Sequence, residues 1–199
     1  IRYMYPLFES IRVEGGQVHL LQYHQARVER SYRQLFQKEC PWKLISLVPE
    51  LPARGLYKLR FLYNDRSFSF ELIPYVVRKI ETLKLIEIND YQYDLKYTDR
   101  AFLNQTFALR GDYADVLMTK NGFLTDTSYC NILLYDGTNW VTPEKPLFEG
   151  VQRSYLLDHK KIQKATIRST ELSNYQSFQL INAMNSFGEN RFLSVGGIV

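Results

Sequence analysis

The chain has 199 residues, of which 45% are hydrophobic and 23% charged, and its formal net charge at pH 7 is +4. These values are typical of a folded globular protein of one or two small domains and exclude a disordered or collagen-like chain. The basic excess is slight and comes with no long basic run or aromatic-basic motif, so we expect no nucleic-acid partner. No apolar run reaches transmembrane length and no signal-peptide pattern is present, so we expect a cytoplasmic protein without a membrane partner.

Cysteine and histidine are rare in this sequence. The two cysteines, Cys40 and Cys130, lie in dissimilar contexts, and the three histidines are scattered along the chain. A protein metal site needs several such ligands at close spacing, so the sequence predicts no metal. Two unmatched thiols are also typical of a reduced, cytoplasmic protein.

The first part of the chain predicts two β-hairpins separated by a helix. The segments "LFESIRV", "EGG" and "QVHLL" have the pattern of a strand, a turn and a returning strand. Apolar residues recur at helical spacing over residues 22–38. The proline-containing "ISLVPELPARG" predicts a short helix or loop, and "LYKLRFLYNDRSFSFELIPY" predicts a second hairpin around the turn "NDRS".

The second part predicts a β-rich arrangement with helices between strands. "LKLIEIND" has the pattern of a strand, and "AFLNQTFALRG" that of a helix. "ADVLMTKNGFLTD" and "TSYCNILLYDGTNWVTP" predict strands around the turns "KNG" and "DGT", and a helix opens near Gly150. The tail predicts a strand over 166–168, a short helix over 170–175 and further strand after it. We therefore predict a small α/β domain over residues 1–78 and a larger β-rich domain over residues 79–199.

Lys96 lies in the segment "YDLKYTDR", between a predicted strand and a predicted helix. Tyr91, Tyr93 and Leu95 alternate toward one side of the segment, so Lys96 faces the other side. Taken alone, this pattern indicates an exposed lysine at a strand edge. The functional interpretation of Lys96 depends on three other features of the sequence.

These three features are an acid, a helix start and an arginine. Asp126, in "LTDTSYCNILL", has the pattern of a turn acid that accepts bonds from local backbone donors, but such an acid can also point a carboxylate into a cleft. Gly150 opens a helix whose first N–H groups and dipole favour an anion. Arg27, in "HQARVERS", is either a surface residue or a planar donor for a phosphate. Together with Lys96 they supply the amine, the acid and the phosphate donors that pyridoxal 5′-phosphate requires.

The sequence resembles the class IV aminotransferases, the fold-type IV pyridoxal-phosphate enzymes, along nearly its whole length. "FESIRV" resembles the Phe-Glu-Thr-Ile-Arg opening of that family, and "HQARVERS" resembles its His-x-x-Arg-Leu-x-x-Ser helix. "LKYTDR" is similar to the segment that carries the Schiff-base lysine. "TDTSYCNILL", "VTPEKPLFEGVQR" and "LINAMNS" are similar to three later motifs and follow in the family's order.

The resemblance implies a role for each matching residue. Lys96 would be the catalytic residue and would bind the aldehyde of pyridoxal 5′-phosphate. Asp126 would hold the pyridine nitrogen, at a position where the family usually has glutamate, which is one methylene longer. The phosphate would be bound by Arg27, Val151, Gln152, Asn182 and Ala183.

The resemblance also implies an α+β fold like that of D-amino-acid aminotransferase, with a small α/β N-terminal domain, a larger β-barrel-like C-terminal domain and the cofactor at their interface. It implies a homodimer and a small-molecule amine substrate. Within the family, "FESIRV" and the compact size favour a 4-amino-4-deoxychorismate lyase, which eliminates pyruvate to give the folate precursor 4-aminobenzoate. Two alternatives stay open: an aminotransferase acting on branched-chain or D-amino acids, and a non-catalytic module that binds nucleic acid or another anion.

Overall fold

The computed structural model describes residues 4–89, 91–188 and 192–199. Over these residues the chain combines β-strands with a smaller number of helices, which confirms the predicted α+β class. Within this described part, no helix is both long enough and apolar enough to cross a bilayer.

The chain divides into two compact units, neither of which is continuous in sequence. Unit 1 comprises Ile1–Val77 together with Leu95–Asp99, and unit 2 comprises Arg78–Asp94 together with Arg100–Val199. The division of the chain into domains at residues 78 and 79 stays a prediction. The short segment of unit 1 that follows residue 94 is the one that carries Lys96.

Unit 1 is built on a four-stranded antiparallel sheet with one long helix. Its elements are β1 (Leu7–Glu14), β2 (Gln17–Val18), α1 (Leu21–Phe36), α2 (Leu44–Leu47), β3 (Leu56–Tyr63) and β4 (Phe68–Pro74). The strand order is β2-β1-β3-β4, so the two predicted hairpins form one sheet. The pairing of β1 with β3 runs over the full length of both strands.

The core of unit 1 includes one face of β1 and one face of α1, together with residues of β3. Side chains alternate along a strand, and Leu7, Ile11 and Val13 on the inner face of β1 are fully buried. The buried residues of α1 recur three and four positions apart, which is the spacing of one helix face. They are His24, Arg27, Val28, Ser31 and Tyr32. Two of these carry ionisable groups, and such groups need partners when they are buried.

The segment of residues 95–99 adds to the beginning of β1. The Phe8 N–H donates to the Lys96 carbonyl (3.1 Å), and the Thr98 N–H donates to the Pro6 carbonyl (2.8 Å). A single β-bridge joins Leu7 to Tyr97. The backbone on both sides of Lys96 is therefore fixed by ladder-type hydrogen bonds.

Unit 2 contains a larger mixed sheet. Its strands are β5 (Leu83–Glu87), β6 (Asp115–Lys120), β7 (Phe123–Thr127), β8 (Asn131–Tyr135), β9 (Trp140–Pro143), β10 (Gln163–Ala165), β11 (Ser177–Ile181) and β12 (Leu193–Ser194). Its helices are α3 (Ala101–Ala108), α4 (Val151–Asp158) and 3₁₀ turns at Ser169–Asn174 and Val195–Gly197. The main strand order is β10-β9-β8-β7-β6-β5, and β11 pairs with both β8 and β12.

Two parallel strand pairs explain where the helices of unit 2 lie in the chain order. β5 pairs in parallel with β6, and α3 lies between them in the sequence. β9 pairs in parallel with β10, and α4 lies between them. Parallel neighbours require a crossover connection, commonly a helix, whereas the antiparallel strands from β6 to β9 need only short turns. The loop before α4 is therefore part of a crossover at the end of β9.

The structure corrects the tail of the sequence prediction. The strand predicted over 166–168 is wrong, because β10 occupies Gln163–Ala165 and its pairing with β9 ends at Pro143. The helix predicted over 170–175 is a 3₁₀ turn, and most of the final segment is irregular or 3₁₀ rather than strand. Asp90, at the end of the predicted strand "LKLIEIND", and Arg191, at the start of "RFLSVGGIV", lie outside the described residues.

Candidate active site

Lys96 is partly buried in unit 1, where the sequence pattern alone indicated an exposed residue. Its Nζ atom lies 4.9 Å from the centroid of the Phe8 ring, within the range of a cation–π interaction. Phe8 also pairs with Lys96 through the backbone. β1 therefore positions both the main chain and the amine of Lys96.

Arg27 is held by a carboxylate that the sequence analysis did not single out. Its Nε donates to Glu9 Oε1 (2.9 Å), and its Nη2 donates to Glu9 Oε2 (2.5 Å). His24 Nδ1 lies 2.6 Å from the same Oε2. Glu9 is on the inner face of β1, and all three side chains are almost completely buried. Helical spacing places His24 and Arg27 on one face of α1, because they are three residues apart.

The charges of the cluster formed by Glu9, His24 and Arg27 are set by burial and by the ion pair between Glu9 and Arg27. Burial raises the pKa of Glu9, but the positive charge of Arg27 and the hydrogen bond from His24 lower it to about 2. Burial lowers the pKa of His24 below its usual value of 6.5, against the opposing effect of Glu9. At neutral pH the cluster therefore contains an ionised Glu9 and a neutral imidazole.

Asp126 is a buried strand residue, although the sequence pattern favoured a turn. It lies in β7 directly opposite Asn131 in β8. Its Oδ1 accepts from Asn131 Nδ2 (2.7 Å), and its Oδ2 accepts from the Phe148 N–H (2.7 Å). Burial raises the pKa of Asp126 to about 7, and these hydrogen bonds and the charge of Arg153 oppose the rise only in part. The carboxyl group therefore changes its charge near neutral pH.

The start of α4 provides N–H groups with no acceptor inside the helix. Gly150 is the N-cap, and the helix has no side-chain cap. Val151 and Gln152 occupy the first turn, where backbone N–H groups have no intrahelical acceptor. The Gly150 N–H is already used, because it donates to Asn131 Oδ1 (3.2 Å).

Asn131 connects the buried acid to this helix start. Its Nδ2 donates both to Asp126 and to the Phe148 carbonyl (2.8 Å), while its Oδ1 accepts from Gly150. In the other direction along the sheet, Asn131 lies opposite Ile181 in β11. The sheet therefore positions the acid, the helix start and the end of β11 through one residue of β8.

Asn182 and Ala183 form a tight turn at the end of β11. The Asn182 N–H donates to the Asn185 carbonyl (3.2 Å), and Asn182 Oδ1 accepts from the N–H groups of Met184 (2.8 Å) and Asn185 (3.0 Å). Asn182 Nδ2 donates to Cys130 Sγ (3.1 Å). The backbone N–H of Asn182 is therefore used within the turn. The backbone N–H of Ala183 takes part in none of the hydrogen bonds named above.

The predicted site residues thus fall into two groups. Unit 1 brings together Arg27 and Lys96, whose charges both act on His24. Unit 2 brings together Asp126, Val151, Gln152, Asn182 and Ala183 around β8. The sequence analysis missed Glu9, His24 and the bridging role of Asn131. The available signal for Glu9 was its place on the same strand face as Leu7 and Ile11, because an inward-facing acid in such a strand needs a cationic partner.

Gly150 is required by its close approach to Asn131. A Cβ atom built on Gly150 would stand well inside contact distance of Asn131 Oδ1, which already accepts from the Gly150 N–H. We expect Gly150→Ala to lower the free energy of unfolding by about 1–3 kcal/mol, because the buried amide would have to move. Urea unfolding measures this difference. Gly196→Ala is the matched control, since its Cβ would meet only an ordinary contact at 3.5 Å; an equal effect of both variants would contradict the steric explanation.

A family model and a protein relative both match most of this chain. A model of the family described as amino-transferase class IV matches residues 70–188. An uncharacterised protein of Haemophilus influenzae is 36% identical over 187 residues, which is 92% of this chain and 99% of that protein.

Solved structures resemble nearly the whole of the chain. The crystal structure of a proposed 4-amino-4-deoxychorismate lyase from Haemophilus somnus matches with a TM-score of 0.87 and 33% identity, covering 92% of this chain and 98% of that one. A hypothetical aminotransferase from Mycobacterium tuberculosis, solved in a PLP-bound form, matches with a TM-score of 0.72 and 15% identity over 92% of this chain and 78% of that one. At that identity the second likeness shows a shared fold.

Proposed function

The chain belongs to the class IV aminotransferase family of pyridoxal-phosphate-dependent enzymes, and on that premise we propose that it is a 4-amino-4-deoxychorismate lyase. The reaction eliminates pyruvate from aminodeoxychorismate and leaves 4-aminobenzoate. The observation that carries this proposal is the likeness to the Haemophilus somnus protein, which is described as a proposed lyase of this kind and matches over nearly its full length. Because the chain belongs to an enzyme family, we no longer favour the alternative of a non-catalytic module that binds nucleic acid or another anion.

The residues of the candidate site fit pyridoxal 5′-phosphate. Asp126 is buried, and its carboxylate accepts bonds from Asn131 and from the backbone at Leu147 and Phe148. A carboxylate has about four acceptor positions, so a further N–H donor such as a pyridinium can be accommodated. The uncapped start of α4 is a general anion site of the kind that binds phosphate.

Each residue has a role that follows from its own chemistry. When bound, the cofactor supplies an electron sink for the electrons released at the substrate carbon. We propose that Lys96 Nζ would hold the cofactor aldehyde and that its amine, when neutral, would act as the general base for the proton at the substrate carbon. Asp126, as a carboxylate, keeps the pyridine nitrogen protonated. Burial raises the pKa of Asp126 in the protein without cofactor, and a cationic N–H partner would lower this pKa and so favour the carboxylate.

The phosphate is the group that fixes the ring against the lysine. We propose that Arg27, the N–H groups of Val151 and Gln152, and the turn of Asn182 and Ala183 bind it. Because the Asn182 N–H donates to Asn185, Asn182 would shape the turn and Ala183 would supply the backbone donor. Holding the ring in one orientation lowers the barrier by removing the entropy cost of alignment.

The reaction is tested by product analysis on the purified protein. With aminodeoxychorismate we expect 4-aminobenzoate and pyruvate, detected chromatographically, and no exchange between amino acids and keto acids. Exchange between branched-chain or D-amino acids and keto acids without 4-aminobenzoate would contradict the lyase and favour the aminotransferase alternative. A small-molecule amine substrate, a homodimeric state, a cytoplasmic location and a place in folate biosynthesis belong to the same proposal.

A further inference from the structure

Glu9 is a charged residue on an otherwise apolar strand face. The neighbours two positions away on β1, Leu7 and Ile11, are fully buried and belong to the hydrophobic core, and Glu9 is fully buried with them. Taking a carboxylate and a guanidinium out of water costs several kcal/mol for each ion. Replacing such a pair by apolar residues of similar volume is often neutral or stabilising. The stability of unit 1 therefore gives no sufficient reason for a glutamate at this position.

The geometry of the ion pair between Glu9 and Arg27 indicates that Glu9 orients the guanidinium group of Arg27. Glu9 accepts from Arg27 through two different nitrogens, Nε and Nη2, at 2.9 and 2.5 Å. Two parallel bonds between a planar guanidinium and a planar carboxylate fix the plane of the arginine as well as its distance. A guanidinium has five N–H donors. The three that do not face Glu9, two on Nη1 and one on Nη2, therefore have a defined direction.

His24 fixes the carboxylate in turn. Its Nδ1 lies 2.6 Å from Glu9 Oε2, and both side chains are fully buried. With Glu9 ionised, the proton of this bond is on Nδ1, so the imidazole donates to the carboxylate. Three hydrogen bonds from two residues of α1 then hold one carboxylate of β1. Neither oxygen of Glu9 is left without a donor, so the group is not able to rotate without breaking a buried bond.

We propose that Glu9 is a positioning residue for cofactor binding, whose carboxylate holds the guanidinium plane of Arg27 in the orientation that receives the phosphate. This inference rests on the proposed function, in which Arg27 binds the phosphate of pyridoxal 5′-phosphate. His24 supports Glu9 through a further hydrogen bond to Oε2. Glu9 itself touches no part of the ligand in this scheme.

The test compares pyridoxal 5′-phosphate with pyridoxal, which has the same ring and aldehyde but no phosphate. Dissociation constants are measured by absorbance titration of the protein freed of cofactor. In Glu9→Gln we expect binding of pyridoxal 5′-phosphate to weaken by roughly ten- to a hundred-fold, since two charge-assisted bonds that orient Arg27 are lost or reduced. Binding of pyridoxal should change by less than about two-fold, because the aldehyde and ring contacts do not depend on Arg27.

Glu14→Gln is a matched control on the same strand. Glu14 is also paired with an arginine, Arg12, through Nε (3.1 Å) and Nη2 (2.7 Å), but its side chain is 46% exposed. This variant should leave the preference for the phosphorylated ligand unchanged. Glu9→Asp is the second variant, in case Glu9→Gln does not fold. It keeps the negative charge but is one methylene shorter, so it should also lose part of the preference.

The possible outcomes distinguish failure of the positioning role of Glu9 from failure of the proposed function. An equal loss of affinity for both ligands in the Glu9 variants, or no loss for either, would overturn the positioning role and leave the proposed function standing. Failure of the unaltered protein to bind pyridoxal 5′-phosphate would overturn the proposed function itself. A loss confined to the phosphorylated ligand in the Glu9 variants, with Glu14→Gln unchanged, supports the inference.

Discussion

Replacing Lys96 by alanine is expected to lower turnover by at least about a thousand-fold while leaving the fold intact. The proposed roles of the amine, as the group that binds the aldehyde and as the general base, have no substitute in alanine. The hydrogen bond that joins Lys96 to Phe8 is made by the backbone and survives the substitution. The substitution removes the cation–π contact with the Phe8 ring, which is worth about 0.5–1 kcal/mol.

The measurement combines kinetics with a covalent readout. Borohydride reduction of the protein loaded with pyridoxal 5′-phosphate should bleach its visible absorption and add the cofactor mass to the peptide that contains Lys96. Lys58→Ala is the matched control, because Lys58 is also in unit 1 and its Nζ lies 5.6 Å from the centroid of the Tyr75 ring. A borohydride-fixed adduct that persists in Lys96→Ala would show that the assignment of Lys96 is wrong.

Asp126→Asn is expected to produce the second large effect, a loss of turnover of roughly a hundred-fold or more. The amide has nearly the shape of the carboxyl group but carries no negative charge, so it cannot hold a protonated pyridine nitrogen in the same way. It also meets two donors, Asn131 Nδ2 and the Phe148 N–H, of which it can satisfy only one with its oxygen. We therefore expect a modest loss of stability in addition to the loss of activity.

The pH dependence of stability distinguishes this acid from an ordinary one. In the folded protein without cofactor, burial raises the pKa of Asp126 from 3.8 to about 7. The folded state therefore binds the proton more tightly than the unfolded state. The contribution of Asp126 to the free energy of unfolding is fully present below pH 3.8 and is lost as the pH rises through about 7. The full difference corresponds to roughly 4 kcal/mol. Asp126→Asn should remove this part of the pH dependence in urea unfolding.

Asp136→Asn is the control for a turn acid. Asp136 is fully exposed, and the backbone N–H groups of Asn139 and Thr138 lower its pKa below 3.8. Its contribution to stability has the opposite sign, because it is present above pH 3.8 and lost as the pH falls below that value. Asp136→Asn should retain activity. If Asp126→Asn lost activity only in proportion to its loss of stability, a purely structural role for Asp126 would be the better explanation.

Local patterns in the sequence were sufficient for most elements. The hairpins of unit 1, helix α1 and the helix start at Gly150 follow from alternation, helical spacing and turn residues within a few positions. The strand predicted over 166–168 failed for a physical reason. The position of β10 is set by its pairing with β9, which ends with Ala165 opposite Pro143, and this long-range pairing is not contained in the local pattern.

The candidate site was predicted only in part, because its contacts join residues of different elements. Asp126 looked like a turn acid, since its environment is created by Asn131 and Phe148 folding over it. Glu9 and His24 are 15 residues apart and on different elements. Their contact depends on the packing of α1 on β1, which periodicity does not specify.

The placement of residues 95–99 has a consequence for the order in which the molecule is made. The strand that carries Lys96 completes the edge of β1, yet 17 residues of unit 2 are synthesised before it. The pairing of residues 95–99 with β1 therefore cannot form until residue 99 has left the ribosome. At that point most of unit 2 has not yet been synthesised. A chain cut after residue 78 would leave the amine on the wrong fragment. Lys96 is thus added to unit 1 late in synthesis, after the first residues of unit 2 have been made.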